Sequence, residues 1–371
     1  MVCANGGWSC PPGDTPLETS LLWQVTGDGW AVPTFDSTAA YFPGLHHEVI
    51  AVDKGSGKVL WQQRTPPVNA VGSLDTSLSY GYGSAMAGGS VIVMDYALSG
   101  FAPQTGSLRW TFTSTAGTVS EISVPGSNGQ SVYQGTSGGY VFALDGATGS
   151  LTWQSRAVND DQATVYSPVP AGGDVYAGFT IFPPTGPNMP PDSGGTVALD
   201  AATGAVKWTF YFPRAPTLTS TPRGWDRVAI AGSYVIAASE QLLYALDRTT
   251  GTMVWQGPPA DLVSARIGAV AAQNGRVFVG FTSPGYVVAL DATTGRELWR
   301  FTGVQLALVR NISTDDEHVF VSYAGPFVAL DAATGAVRWQ VAPTAQLMSG
   351  AAVDSDRIYV SGGQGYYAFR K

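Results

Sequence analysis

A chain of 371 residues with 44% hydrophobic residues can bury a large core, yet only 12% of its residues are charged and its formal net charge is −8. That balance argues against nucleic acid as a partner, because phosphate-backbone binding rests on cations that displace counterions. No apolar run reaches the length of a membrane-spanning helix. The 46 Gly and 24 Pro stand beside 11 Trp, 16 Tyr and 15 Phe, which suits many short strands joined by tight turns and does not suit disorder.

Residues 1–20 read as an N-terminal tail and 21–371 as one repeat domain. The tail holds both cysteines, Cys3 and Cys10. Either they form a local disulfide in an oxidising compartment, or Cys3 is the lipid-bearing residue of a bacterial lipoprotein, a possible membrane anchor. Neither cysteine has a partnered base nearby in sequence, so neither reads as a nucleophile.

After the tail, Leu21-Leu22-Trp23-Gln24 reads as an outer strand with no inner strands before it. A pattern then recurs: Asp53…Gly57…Trp61, Asp145…Thr148-Gly149…Trp153 and Asp200…Thr203-Gly204…Trp208, followed by Asp247…Gly251…Trp255, Asp291…Gly295…Trp299 and Asp331…Gly335…Trp339. A further copy, Ala102…Thr105-Gly106…Trp110, has lost the Asp. In each copy a strand ends at the Asp, whose carboxylate can accept backbone N–H groups in the turn. The Gly supplies positive φ. A second strand then ends in Trp, large enough to fill the gap between neighbouring sheets. Two short β-rich runs lie upstream of each copy, such as 267–271 and 276–281. Four strands in roughly 46 residues is the period of a propeller blade. At the far end, 357–361 and 366–369 read as inner strands of a blade that lacks its Trp strand. Joined to Trp23, they close an all-β, eight-bladed propeller and remove its free sheet edges.

The string Ala-Leu-Asp-Ala-x-Thr-Gly-x-x-x-Trp resembles the repeat of the pyrroloquinoline-quinone-type propellers over essentially all of 21–369. The resemblance implies the eight-bladed fold and two classes of function. One is the quinoprotein dehydrogenases, which hold the quinone and a divalent metal at the propeller axis. The other is non-catalytic and includes the lipoprotein subunit of the bacterial outer-membrane β-barrel assembly machinery, to which this chain is closest in build. The dehydrogenases carry a disulfide between adjacent cysteines over the quinone, and they carry large insertions. Here no cysteine follows Cys10 and the blades are nearly minimal. The expectation is therefore a binding or scaffold propeller of the periplasm, outer membrane or cell surface with no cofactor, engaging a protein partner or a small anionic ligand. The alternative is a minimal oxidoreductase using pyrroloquinoline quinone with Ca²⁺.

A site is expected at the channel mouth opposite the Asp-x-x-Thr-Gly turns, where inner strands converge. Their starts are 33–35, 76–80, 121–123, 166–167, 225–227, 265–266, 309–311 and 349. They nominate Arg227, Arg266 and Arg310 as a basic patch for a carboxylate or phosphate, with Asp75 and Glu121 opposite and Tyr166 on the wall. Trp225 and Trp30 would add an aromatic wall, and the insertion 179–195 would overhang the same face. The favoured reading is that each arginine pairs with a local acid, Asp226 and Asp261 being the candidates, and braces neighbouring blades. His46-His47-Glu48 is the one His cluster; adjacent histidines on a strand point to opposite sides, against chelation. Asp315-Asp316-Glu317-His318 reads as a solvated turn on the far face.

Overall fold

A computed structural model describes residues 21–29, 31–44, 47–66, 83–95, 97–114, 116, 123–182, 193–213, 228–283, 285–302, 309–323, 327–341 and 349–371, with only the backbone of Ser283, Arg310 and Tyr323. The described strands form eight four-stranded antiparallel sheets. Blade 1 is β2 (Thr34–Phe35), β3 (Ala39–Gly44), β4 (Glu48–Asp53) and β5 (Val59–Arg64). Blade 2 is β6 (Gly83–Ala87), β7 (Ser90–Met94), β8 (Leu98–Phe101) and β9 (Leu108–Phe112). Blade 3 is β10 (Gly126–Ser127), β11 (Ser131–Gly135), β12 (Tyr140–Asp145) and β13 (Leu151–Arg156). Blade 4 is β14 (Ala163–Ala171), β15 (Asp174–Ile181), β16 (Ser193–Asp200) and β17 (Val206–Tyr211). Blade 5 is β18 (Val228–Ala231), β19 (Tyr234–Ala238), β20 (Leu243–Asp247) and β21 (Met253–Gly257). Blade 6 is β22 (Arg266–Gln273), β23 (Arg276–Ser283), β24 (Val287–Asp291) and β25 (Glu297–Phe301). Blade 7 is β26 (Val309–Thr314), β27 (His318–Tyr323), β28 (Phe327–Asp331) and β29 (Val337–Val341).

The eighth blade is split along the chain. Its inner strands are β30 (Ala352–Val353), β31 (Arg357–Gly362) and β32 (Gly365–Arg370), and its outer strand is β1 (Leu21–Val25). Trp23 pairs with Ala368, and the ladder skips a residue between Leu21 and Trp23. The same irregularity recurs opposite Ala-Leu in the intact blades, for instance at Ala143/Leu144 and Ala329/Leu330. The split blade therefore reproduces the repeat's bulge from two distant stretches.

Burial follows the sequence pattern. The third strand of a blade is enclosed by sheets on both sides, so Val141, Phe142, Ala143 and Leu144 are all buried. The fourth strand faces outward, and its Trp is the buried residue in an otherwise exposed run such as Leu151–Arg156. That strand continues past Trp153 rather than ending there. In several blades the Trp leans on an aromatic ring of its own blade's second strand: Tyr41–Trp61 at 5.8 Å, Tyr133–Trp153 at 5.9 Å, Phe278–Trp299 at 5.8 Å.

The turn between third and fourth strands clamps the preceding blade. Asp145 Oδ1 accepts from the Thr148 backbone N–H (2.9 Å) and hydroxyl (2.8 Å), and Asp200, Asp247, Asp291 and Asp331 repeat this with their own Thr. In the copy without Asp, the backbone bond from Gly106 N–H to Ala102 O (2.8 Å) holds the turn. The turn glycine at φ near +70° lies against the previous blade's Trp: a Cβ on Gly335 would fall 2.5 Å from the Trp299 ring, and one on Gly149 2.5 Å from Trp110. The residue after the Asp position offers its carbonyl to that Trp's Nε1. Among the described residues seven such bonds form, to Lys54, Pro103, Gly146, Ala201, Arg248, Ala292 and Ala332.

Candidate functional site

The loops between second and third strands, and the crossovers from one blade to the next, open on the face opposite these turns. Arg266 starts β22 at this face, and its Nη2 donates to Glu240 Oε1 at 3.0 Å. Glu240 lies in the β19–β20 loop of the preceding blade, and its carbonyl accepts the Ile267 N–H (2.8 Å). The Glu240 side chain is 11% exposed and that of Arg266 62%. Blade 5 thus grips blade 6 through both side chain and backbone of one residue. The arginine does pair with an acid, but with Glu240 rather than Asp261. Asp261 instead receives Arg300 (2.5 and 3.1 Å), whose hydrogen bonds hold its carboxyl below the usual range.

Tyr166 is 2% exposed and sits in β14 beside a ladder irregularity between Tyr166 and Val169. Its ring is enclosed by the sheets rather than presented to solvent. The adjacent Ser167, at φ +29°, ties blades 3 and 4 together: its N–H donates to Ser123 Oγ (2.9 Å), and its Oγ accepts from Val124 N–H (3.0 Å). Arg310 lies in β26 at the point where pairing skips between Val309 and Asn311; its side chain is outside the described residues. Arg227, Trp225, Asp75, Glu121, Trp30 and Asp226 also lie outside them, as do His46, Cys3 and Cys10. Residues 183–192, the tip of the long insertion's loop, are likewise outside, while β15 and β16 carry its two ends.

A second polar cluster on this face has no counterpart in the repeat. His47, at φ +63° in the β3–β4 loop, meets Asp95 Oδ2 through Nδ1 at 2.6 Å. Asp95, in the β7–β8 loop of blade 2, also accepts from the Thr65 hydroxyl (2.5 Å), and Thr65 N–H donates to His47 O (2.7 Å). A carboxylate on Nδ1 fixes the imidazole's orientation and tautomer. This is a cross-blade latch built from the loops of blades 1 and 2. Sequence reading missed it because its members, 48 residues apart, fall between the repeated strands.

On the opposite face, the Asp315–His318 turn is only partly solvated. Asp315 and His318 side chains are each 15% exposed, with Nδ1 3.3 Å from Asp315 Oδ1 and the imidazole stacked on Phe320 at 5.6 Å. Asp315 caps the turn by accepting the Glu317 and His318 N–H groups, which draws it inward, while Asp316 and Glu317 stay exposed.

Among the described residues no three His, Cys, Asp or Glu side chains group to hold a metal ion. Of the three arginines nominated to receive an anionic ligand, the one whose side chain is described is already held by Glu240.

Comparisons with known proteins extend the picture beyond geometry. The alcohol dehydrogenase (quinone) dehydrogenase subunit of Komagataeibacter europaeus is 35% identical over 122 residues, covering 28% of this chain and 16% of that protein. The chain thus spans about a sixth of that relative's length. Among solved structures, BamB from Moraxella catarrhalis superposes with a TM-score of 0.68 at 17% identity, covering 95% of this chain and 99% of that one. The computationally designed Ika8 protein superposes at 0.72 with 13% identity, covering 95% and 100%. At such identities the superpositions speak for the fold alone. The family model described as outer membrane protein assembly factor BamB matches residues 45–242, 192–311, 239–345 and 283–371. With eight tryptophan-docked blades and that match running from 45 to 371, the chain belongs to the pyrroloquinoline-quinone-type repeat family described as outer membrane protein assembly factor BamB.

Proposed function

We propose that this chain is a non-catalytic binding propeller of the bacterial periplasm or outer membrane, engaging a protein partner through one face of its ring. The observation that carries this reading is the commitment of the described charged groups of the mouth to one another across blades: Arg266 to Glu240 and His47 to Asp95. Groups paired in this way brace a scaffold and leave little charge to recognise a small anion. The match to the family model described as outer membrane protein assembly factor BamB supports the same reading, and among the described helices none is long and apolar enough to cross a membrane.

A second reading is favoured by the 35% match to a quinone-dependent alcohol dehydrogenase: an oxidoreductase with its site around Arg227, Arg266 and Arg310. Incubation of the purified protein with pyrroloquinoline quinone and Ca²⁺, followed by absorbance and dye reduction with alcohols, separates the two. The scaffold reading expects no saturable absorbance change and no turnover. Dye reduction that disappears when the three arginines become alanine would overturn it.

A further inference from the structure

On the face opposite the channel mouth, one basic side chain stands without an acceptor. Arg276 opens β23, and among the described residues it is the one partly buried arginine or lysine that makes neither a hydrogen bond nor an ion pair. Its Nε is shielded from solvent. Comparison of the blades shows why no partner is at hand. In blade 4 the corresponding position, at the start of the second strand, is Asp174, which receives Lys207 from the fourth strand of the same blade. Blade 6 places Leu298 where Lys207 stands, so its own fourth strand brings no charge to Arg276. Asp291, opposite Arg276 in the ladder, turns its Oδ1 to the Thr294 hydroxyl and backbone N–H, each at 2.8 Å.

Arg276 instead forms one wall of a cleft of about 510 Å³ whose other wall is blade 7. That wall holds Asp316, Glu317 and His318 from the turn into β27, Asp331 at the end of β28 and Arg338 in β29. These side chains are not equally available to a ligand. Arg338 Nη2 donates to Asp331 Oδ2, so that pair is neutral. His318 packs against Asp315 and Phe320. Asp316 Oδ1 accepts from Gln273 Nε2 (2.6 Å) and Asn274 Nδ2 (3.2 Å), a bridge between the two blades that leaves its charge in place. Glu317 is exposed, and no hydrogen bond to its carboxylate forms among the described residues. What remains is a guanidinium on blade 6 and two carboxylates on blade 7, none of them close enough to pair across the cleft.

We propose that the cleft between blades 6 and 7 binds a small zwitterion, a molecule that carries a carboxylate and an ammonium group as a free amino acid does. The Arg276 guanidinium takes the carboxylate. Glu317, with Asp316 beside it, takes the ammonium. A bare anion is repelled by the two acids and a bare cation by Arg276, so either charge alone binds more weakly than the two joined in one molecule. This site goes beyond the protein-partner reading and does not rest on it, since it lies on the other face of the ring.

The full chain labelled with ¹⁵N-arginine reads the site directly, because a shielded Nε–H exchanges slowly with water and gives its own resonance. Arg276→Gln identifies that resonance by its absence, and Arg276→Lys does so if the first variant fails to fold. Titration with the ω-amino acids from glycine to ε-aminocaproate should shift it, saturating at millimolar concentration for at least one member of the series. Acetate and ethylammonium should each bind about tenfold more weakly than that member, the loss of one charge-assisted contact. Glu317→Gln should bring the best member's affinity down toward that of acetate. If no member of the series moves the resonance at millimolar concentration, the proposal is overturned, and a cleft filled by another stretch of the chain gives this result. Acetate binding as tightly as the zwitterions, the mark of an adventitious ion only, overturns it equally. So does a preference that Glu317→Gln leaves unchanged. None of these outcomes alters quinone turnover or binding at the channel mouth, so failure here leaves the scaffold reading standing.

Discussion

Seven of the described tryptophans are clamped between a glycine and a carbonyl, and the eighth, at the closing seam, has neither. The two kinds of contact share their strands, their bulge and their aromatic neighbours; Trp339 lies 6.2 Å from Phe320 much as Trp299 lies 5.8 Å from Phe278. What differs is continuity of the chain through one turn. Packing of the ring into the sheet is therefore a property of the blade, whereas satisfaction of its N–H is a property of the next blade's connection. The fold tolerates one unsatisfied donor because closing the ring buries far more apolar surface than one indole N–H costs.

The sharpest probe of this difference is the turn glycine. Gly335→Val places a branched side chain in left-handed backbone against Trp299, and should cost about 4 kcal/mol in urea denaturation. Gly275, at φ +72° with nothing within 4 Å of a built Cβ, should lose only about 1 kcal/mol on conversion to Ala. Equal losses at the two sites would mean that the ring contact contributes nothing.

Next in size is the residue after the Asp position. Lys54 and Asp354 pair across blades 1 and 8 with side chains 14% and 6% exposed, and the ammonium also lies 5.0 Å over Phe35. Lys54→Met strands a buried carboxylate and should destabilise by about 3 kcal/mol. The related Lys371–Asp315 pair is somewhat more open, at 22% and 15%, and Lys371→Met should cost less in the same chemical denaturation.

A smaller effect isolates the N–H itself. Trp299→Phe removes a donor and abandons the Ala332 carbonyl, while Trp339→Phe removes a donor that has no acceptor. The first should be more destabilising than the second by about 1 kcal/mol, read from paired calorimetric scans. A reversed order would show that Trp339 finds an acceptor in solution.

The smallest effect per site is acid sensitivity. Hydrogen bonds from Thr or Ser hold the carboxyls of Asp53, Asp145, Asp200, Asp247 and Asp291 below their ordinary value. That of Asp331 falls to about 2, chiefly through Thr334, with Arg338 adding to it. A depressed folded-state pKa contributes stability above the unfolded value near 4, and the contribution fades as pH falls toward about 2. Melting temperature should drop across that window, and Asp331→Asn should flatten its share of the drop. Blade 8 has no Asp at this position, so Arg370→Ala should leave the acid response unchanged.

The ring was legible because its signals are local and repeated: an Asp that caps, a Gly at positive φ, a Trp ten residues after the Ala that opens the motif. Trp23 at one end and the paired strands of 357–370 at the other were enough to infer closure. The polar latches were not legible. Glu240–Arg266 and His47–Asp95 join loops of neighbouring blades, where no period constrains spacing and where the partner is chosen by how two sheets stack. Arg266 pairs with Glu240, whereas Asp261, nearer in sequence, pairs with Arg300. The orphaned indole escaped notice for the opposite reason, since Trp339 obeys the repeat perfectly and its anomaly lies in Arg370, on the next blade.

The split blade also sets an order of events. Gln24 and Tyr367 are hydrogen-bonding neighbours 343 positions apart in the chain, so β1 cannot pair with β32 until that much later strand has been made. Loop-closure entropy grows only slowly with such a separation, so the finished ring loses little by it. The delay falls on folding instead: β32 presents an open edge, and Leu21 and Leu22 an uncommitted apolar strand, until the seven preceding blades are in place. For a protein of this topology, exposure to chaperones and to mispairing with a second copy is concentrated in that interval.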